Sequence, residues 1–334
     1  MTQFYKIMFL LTLMLGSLIA ISSYSWLSMW IGLEINLLSI IPLLSDSKNS
    51  YPSESALKYF ITQALASIVL LFAIITNLNF YEIIPINQNL YLGMILNSAL
   101  LTKMGAAPFH AWFPEVMNGI NWTNGFIMLT WQKLAPMVIL MYSAKMTLFL
   151  SMIIVFSATL GGVLGLNQTS MRKIMAYSSI NHIGWMIASM LNSQSTWLNY
   201  FVVYSIITMN IIFILQLLNI FFLKQLFISF NFDKTIKFFF IMNFLSLGGL
   251  PPFLGFFPKW LTINSLTQSG FLMLSLILIV STLITLFFYL RITFSTLVVN
   301  SKESILIKQK PKIFMVTLIN LVSIAGLLAC TFIF

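Results

Sequence analysis

The chain has 334 residues, of which 59% are hydrophobic and 7% charged, and it carries a formal charge of +10; a soluble domain has about a quarter of its residues charged. That composition excludes a water-soluble enzyme. The single cysteine, Cys330, excludes an internal disulfide, a four-cysteine zinc site and an iron–sulfur cluster held by this chain alone. The basic residues lie in short connections between apolar runs, which argues for membrane topology and against nucleic acid.

Apolar stretches of about 20 residues, the length that crosses a bilayer core of about 30 Å, recur along the chain. The alternation of a membrane barrel is absent. The pattern predicts an all-α polytopic transmembrane helical bundle of about 11 spans, near 4–24, 26–45, 56–78, 90–113, 123–142, 146–166, 172–192, 196–223, 238–264, 269–292 and 313–333. The first run has some features of a signal peptide, with one lysine ahead of an apolar stretch, but is expected to be retained as the first span. The longest polar connections, 224–237 and 300–312, are too short to bury a core, so 1–334 reads as a single membrane domain.

With these spans, thirteen of the seventeen basic residues fall on the side of the N-terminus: Lys6, Lys48, Lys58, Arg172, Lys173, Lys224, Lys234, Lys237, Arg291, Lys302, Lys308, Lys310 and Lys312. Only Lys145 falls on the other side. The asymmetry supports the span count and puts the N-terminus on the cytoplasmic or matrix side. Lys103, Lys133 and Lys259 remain, and they lie within spans, as does the acid Glu34. A charge at the centre of a membrane helix costs about 2.5–3.5 kcal/mol on insertion scales, so these four side chains are expected to point into the bundle. Snorkelling or a fixed ion pair would explain them structurally. A proton or ion path would explain them functionally, because burial favours the neutral amine of a lysine while a nearby carboxylate favours the ammonium.

Two of the lysines stand beside helix breakers. In "LTKMGAAPFHAWFP" Lys103 is followed by Gly105, Pro108 and His110; in "LSLGGLPPFLGFFPKW" Gly248, Gly249, Pro251 and Pro252 precede Lys259. Proline removes a backbone donor, so discontinuous helices are expected near 103–110 and 248–259, with carbonyls opened at membrane depth. Paired interruptions of this kind point to inverted-repeat transporters. His110 and His182, the latter in "MAYSSINHIGWM", are candidate relay groups, with helix packing as the bland alternative. Gly161 and Gly165 read as a close-packing GxxxG pair.

The segments "WIGLEINLLSIIPLL", "LLTKMGAAPFHAWFPEVM", "TWQKLAP", "NQTSMRKIMAYSSINHIGWM" and "MNFLSLGGLPPFLGFFPKW" together resemble the subunit-2 family of animal mitochondrial NADH:ubiquinone oxidoreductase, respiratory complex I. The resemblance covers essentially the whole chain, and the Met- and Phe-rich composition suits an AT-rich, arthropod-like mitochondrial genome. It implies antiporter-like inverted repeats: a first repeat near 1–142 that lacks three helices present in bacterial relatives, a second near 146–292, and a C-terminal helix at 313–334. The family's carboxylate and lysine fall on Glu34 and Lys103, its central lysine on Lys133, the lysine of its second broken helix on Lys259, and its histidines on His110 and His182.

The implied function is that of a core membrane-arm subunit that couples electron transfer in other subunits to proton translocation. NADH, FMN, iron–sulfur clusters and ubiquinone would be handled elsewhere, with no cofactor or metal held in this chain. The implied location is the inner mitochondrial membrane, N-terminus in the matrix and C-terminus in the intermembrane space. The implied partners are neighbouring antiporter-like, small core and accessory subunits, with phospholipids such as cardiolipin. Two alternatives stay open: a free-standing monovalent cation/proton antiporter, and a structural linker whose charges form static ion pairs.

Overall fold

A computed structural model describes residues 4–46, 49–83, 90–144, 146–229, 234–298 and Asn320. The first helices pack by small residues. α1 (Phe4–Ser22) and α2 (Trp26–Leu44) approach so closely that a Cβ on Gly32 would stand 2.6 Å from the backbone nitrogen of Ala20. Ser25 begins α2 as its cap, accepting from the backbone N–H of Ser28 at 3.2 Å. α3 (Ser50–Ile83) is longer than the predicted span because its polar start is also helical, with Glu54 and Lys58 paired one turn apart at 3.0 Å.

Next come α4 (Leu90–Met104), α5 (Trp112–Gly119), α6 (Trp122–Leu129), α7 (Trp131–Ser143) and α8 (Thr147–Gly165). The predicted span 90–113 is therefore discontinuous after Met104. The predicted span 123–142 is interrupted as well, at Thr130, whose φ of −117° and ψ of −71° depart from the helix. Further along α7, Pro136 has no N–H to offer the carbonyl of Gln132.

α9 (Met171–Met190) and α10 (Gln194–Leu217) follow, then α11 (Leu223–Ser229), α12 (Lys234–Gly248), α13 (Phe256–Gln268) and α14 (Leu272–Val298). α11 lies in what reads as a loop. The start of α9 is pinned to the start of α11 by Met171 N–H to Phe221 O at 2.9 Å and Leu223 N–H to Thr169 O at 3.1 Å. The expected span 313–333 lies outside the described residues except for Asn320, which is buried, helical and accepts a hydrogen bond from Asn243 on α12.

Seven of the described helical stretches are long and apolar enough to cross a membrane. α9 is not one of them, although every residue from Ser178 to Met190 is buried. Its serines, Asn181 and His182 lower its hydropathy because it faces protein on all sides instead of lipid. α1, α3 and α14, by contrast, expose ridges such as Leu57, Ile61, Leu65, Ile68 and Phe72, spaced by three or four residues.

The chain divides into two compact units, Met1–Ile153 and Ile154–Phe334. In the first, α3 packs on α2, α4 and α5, and α7 packs on α1, α2, α4 and α6. In the second, α10 and α14 each pack on α9, α12 or α13. The GxxxG pair does not form a single seam there: Gly161 lies against Asn181 and Tyr177 of α9, while Gly165 faces Phe288 of α14.

Candidate functional site

The buried lysines of the two broken helices each occupy a site within one unit. α4 ends in a turn that its sequence prescribes. Gly105, with φ +75°, donates to Thr102 O at 3.2 Å, and Ala106 donates to Leu101 O at 3.0 Å. This is the Schellman arrangement, in which glycine takes the left-handed position that a side chain disfavours. Side-chain donors complete the last turn: Trp112 Nε1 also reaches Thr102 O, at 3.1 Å, and Gln63 Nε2 from α3 reaches one further carbonyl, Lys103 O, at 3.3 Å.

Lys103 itself is 6% exposed. It lines a cavity with room for about one water molecule, whose polar lining also includes Asn36, Tyr59, Gln63 and Gln132. Three of those side chains are linked: Tyr59 Oη donates to Gln132 Oε1 at 3.3 Å and Gln132 Nε2 donates to Asn36 Oδ1 at 2.8 Å. Glu34, on α2, lies within electrostatic reach of both Lys103 and Tyr59. No direct ion pair joins Glu34 to Lys103 among the described residues, and Glu34 Oε1 is shielded from solvent without a hydrogen-bond partner. A buried carboxylate oxygen without a donor is costly.

Lys133 follows Gln132 on α7 and is the most deeply buried of the three lysines, at 1% exposed. Its Nζ lies 5.5 Å from the ring centre of Phe113, a contact through the aromatic face. His110, in the loop between α4 and α5, is half-buried, and its Nδ1 approaches Pro108 O at 3.3 Å. It is not among the residues that line the Lys103 cavity.

In the second unit α12 ends in the same turn. Gly249, with φ +77°, donates to Ser246 O at 2.9 Å, and Leu250 donates to Leu245 O at 3.4 Å. Here the lysine lies beyond the break, on α13, and turns back to it. Lys259 Nζ donates to Leu247 O at 3.1 Å and to Gly248 O at 2.9 Å. Its charge is thus held by the negative end of a helix. The left-handed φ favours glycine at 249, and a Cβ there would stand 2.7 Å from Lys259 Cδ, so a side chain would displace the lysine from its present path.

Lys259 lines a second cavity of about one water's size, with His182 of α9 and Tyr200 and Tyr204 of α10. His182 Nδ1 and Tyr200 Oη share a hydrogen bond of 2.8 Å. Trp185 stacks on Tyr200 at 6.5 Å and lies 5.9 Å from Lys259 Nζ. The structure therefore brings His182 and Lys259 to one cavity, and brings Glu34 near Lys103.

Reading charges and histidines alone missed the neutral groups of both cavities. A signal for them exists: Gln63 and Gln132 are lone amides in apolar runs, and Tyr200 and Tyr204 stand one helical turn apart. Among the described residues no three His, Cys, Asp or Glu side chains gather as metal ligands.

Comparison with known proteins places this geometry. The family model described as NADH:quinone oxidoreductase/Mrp antiporter, TM, matches residues 23–285. NADH-ubiquinone oxidoreductase chain 2 of Anopheles gambiae is 47% identical over 98% of this chain and 97% of its own length. The protein of the same name from Locusta migratoria is 46% identical over 98% of this chain and 96% of its own. Among solved structures, a chain of respiratory complex I from Thermus thermophilus matches with a TM-score of 0.86 and 25% identity, over 97% of this chain and 78% of that one. The chain belongs to the NADH:quinone oxidoreductase/Mrp antiporter membrane family.

Proposed function

We propose that this chain serves in the membrane arm of respiratory complex I as a proton-translocating subunit, with buried lysines as its proton stations. Membership of complex I follows from the relatives, which are NADH-ubiquinone oxidoreductase chains matched over nearly their full length. The enzyme oxidises NADH with ubiquinone and translocates protons, and the chain is a multi-pass protein of the inner mitochondrial membrane working with the other subunits. The observation that carries the station assignment is the burial of Lys103, Lys133 and Lys259, at 6%, 1% and 6% exposed, in a chain with seven described helices long and apolar enough to cross a membrane, where a buried amine is costly.

In this reading Lys103 gains and loses a proton as the distance to Glu34 changes, Lys133 is the intermediate station, and Lys259 with His182 is the third. His110, half-exposed after the first break, is the proposed point of exchange with water. Two inverted repeats, near 1–142 and 146–292, would each supply one broken helix. The N-terminus faces the matrix and the C-terminus the intermembrane space, a reading supported by the distribution of lysine and arginine along the sequence. The redox cofactors are bound by other subunits, and anionic phospholipids such as cardiolipin meet the basic connections on the matrix side. Moving one elementary charge against 100 mV requires about 2.3 kcal/mol, a quantity that separating one intramembrane ion pair can supply.

The test is Lys133→Met in the assembled complex. Fewer protons should be pumped per NADH oxidised, with assembly retained. An unchanged ratio in an intact complex would defeat the relay and leave the lysines as structural.

A further inference from the structure

We infer that Tyr200 is the residue that positions His182 for proton transfer, by setting which nitrogen of its imidazole carries the proton. The inference rests on the reading of Lys259 and His182 as one station. Tyr200 is 2% exposed and His182 is 4% exposed, and both line the cavity that contains Lys259. The 2.8 Å bond joins the phenol to Nδ1 of the ring. A phenol hydroxyl can donate or accept, so this single bond has two polarities.

When Nδ1–H donates to the Tyr200 oxygen, Nε2 has a lone pair and acts as the base. When the Tyr200 hydroxyl donates to Nδ1, Nε2 carries the hydrogen and acts as the donor. Transfer is then a balanced exchange. A proton leaving the Lys259 ammonium reaches Nε2 and gives an imidazolium, with Nδ1–H held on the Tyr200 oxygen; Nε2 then passes its proton to a water molecule in the cavity, which carries it on as hydronium, and the imidazole is neutral again. Tyr200 remains a phenol throughout. Its ring is fixed for this role by the stack on Trp185, with an angle of 13° between the planes.

The titratable groups facing His182 are Tyr200 and Tyr204 from α10 and Lys259 from α13, while α12 contributes only Ser246 to the polar lining. Tyr289 of α14 lies within electrostatic reach of both tyrosines. No carboxylate lines the cavity, and the hydroxyl of Tyr200 is bonded directly to Nδ1, where it can select the tautomer of His182.

The experiment compares Y200F, H182N and the double variant in the assembled complex, reading protons pumped per NADH and the pH profile of coupled turnover. Phenylalanine keeps the ring against Trp185 and removes only the hydroxyl. Y200F should slow coupled turnover about tenfold, the low end of the cost for residues that orient a functional histidine, and should displace the pH profile. In the H182N background Y200F should add nothing. If Y200F does not assemble, 3-fluorotyrosine at position 200 keeps ring and hydroxyl while strengthening the donor, and it should displace the same profile. Wild-type behaviour of Y200F, or of the fluorinated chain, beside an impaired H182N overturns the role of Tyr200 and leaves the station intact. Fully additive losses in the double variant overturn it too. Wild-type behaviour of both single variants removes the station itself.

Discussion

The helix that ends at Met104 and the helix that ends at Gly248 finish in the same glycine turn, yet their last carbonyls go to different donors. At the first break the donors are neutral, Gln63 and Trp112, and Lys103 is left to face a polar cavity with Glu34 in electrostatic reach. At the second the donor is Lys259 itself, on Leu247 and Gly248. The first lysine has a carboxylate within electrostatic reach. The second is balanced by backbone that holds it in place. A repeated turn therefore supports two different ways of keeping a charge in a membrane.

The largest effect is expected where the second break has no slack. Gly255 starts α13 with its Cα against the carbonyl of Ser246, and a Cβ there would overlap that oxygen. Backbone cannot step aside as a flexible side chain can. Gly255→Ala should reduce the assembled complex severalfold on native gels, through overpacking of about 1–3 kcal/mol or more. Gly105→Ala should be milder: a Cβ there meets Phe113 Cβ at 3.2 Å, and the main cost is about 1–2 kcal/mol for its left-handed φ. Equal accumulation of the two variants would remove the distinction in rigidity.

Next in size is the lysine pair. Lys259→Met leaves the Leu247 and Gly248 carbonyls without this donor, at about 1–3 kcal/mol for each buried acceptor. Lys103→Met removes a charge that donates no hydrogen bond among the described residues, and the carbonyl of residue 103 keeps Gln63. Both should impair pumping, but only Lys259→Met should markedly shorten the heat-inactivation half-life of the complex. A greater heat sensitivity of Lys103→Met would mean that the first lysine, too, is structural.

A smaller loss is expected at the wall of the first cavity. Gln132→Leu removes the acceptor of Tyr59 and the donor to Asn36, about 1–3 kcal/mol in all. Thermal inactivation of the complex checks the size, and the pumped ratio checks whether the linked amides matter beyond stability. Stability at wild-type level would show that the chain Tyr59–Gln132–Asn36 is replaceable.

Much of this was legible in sequence because the physics of lipid is severe. Charges in apolar runs identified Glu34, Lys103, Lys133 and Lys259 before any fold was known, and Gly-Pro clusters located both breaks. The interruption at Thr130 was not legible: Pro136 alone does not say whether a helix bends or parts. Nor was the route of Lys259, since a lysine eleven residues past Gly248 could as well have faced lipid headgroups. The neutral lining was passed over because an amide or phenol in an apolar helix carries no charge to count, and its significance depends on neighbours from other helices. α9 shows the converse, for its low hydropathy is the mark of a helix surrounded by protein.

The smallest expected effect tests what holds the short helix after each break. α13 is held from inside, through the buried Lys259. α5 carries an external tie, in which Lys58 of α3 bridges Glu54 at 3.0 Å and Glu115 of α5 at 3.2 Å, with all three side chains largely in solvent. Exposed ion pairs lose most of their attraction to water and salt. Phe113, Val116 and Met117 of α5 are fully buried and already anchor that helix. Lys58→Met should therefore leave assembly, heat stability and the pumped ratio unchanged at physiological ionic strength, in contrast to Lys259→Met. A destabilised Lys58→Met complex, rescued at low salt by a Lys58→Arg exchange, would show that the external tie does for the first break what the buried lysine does for the second.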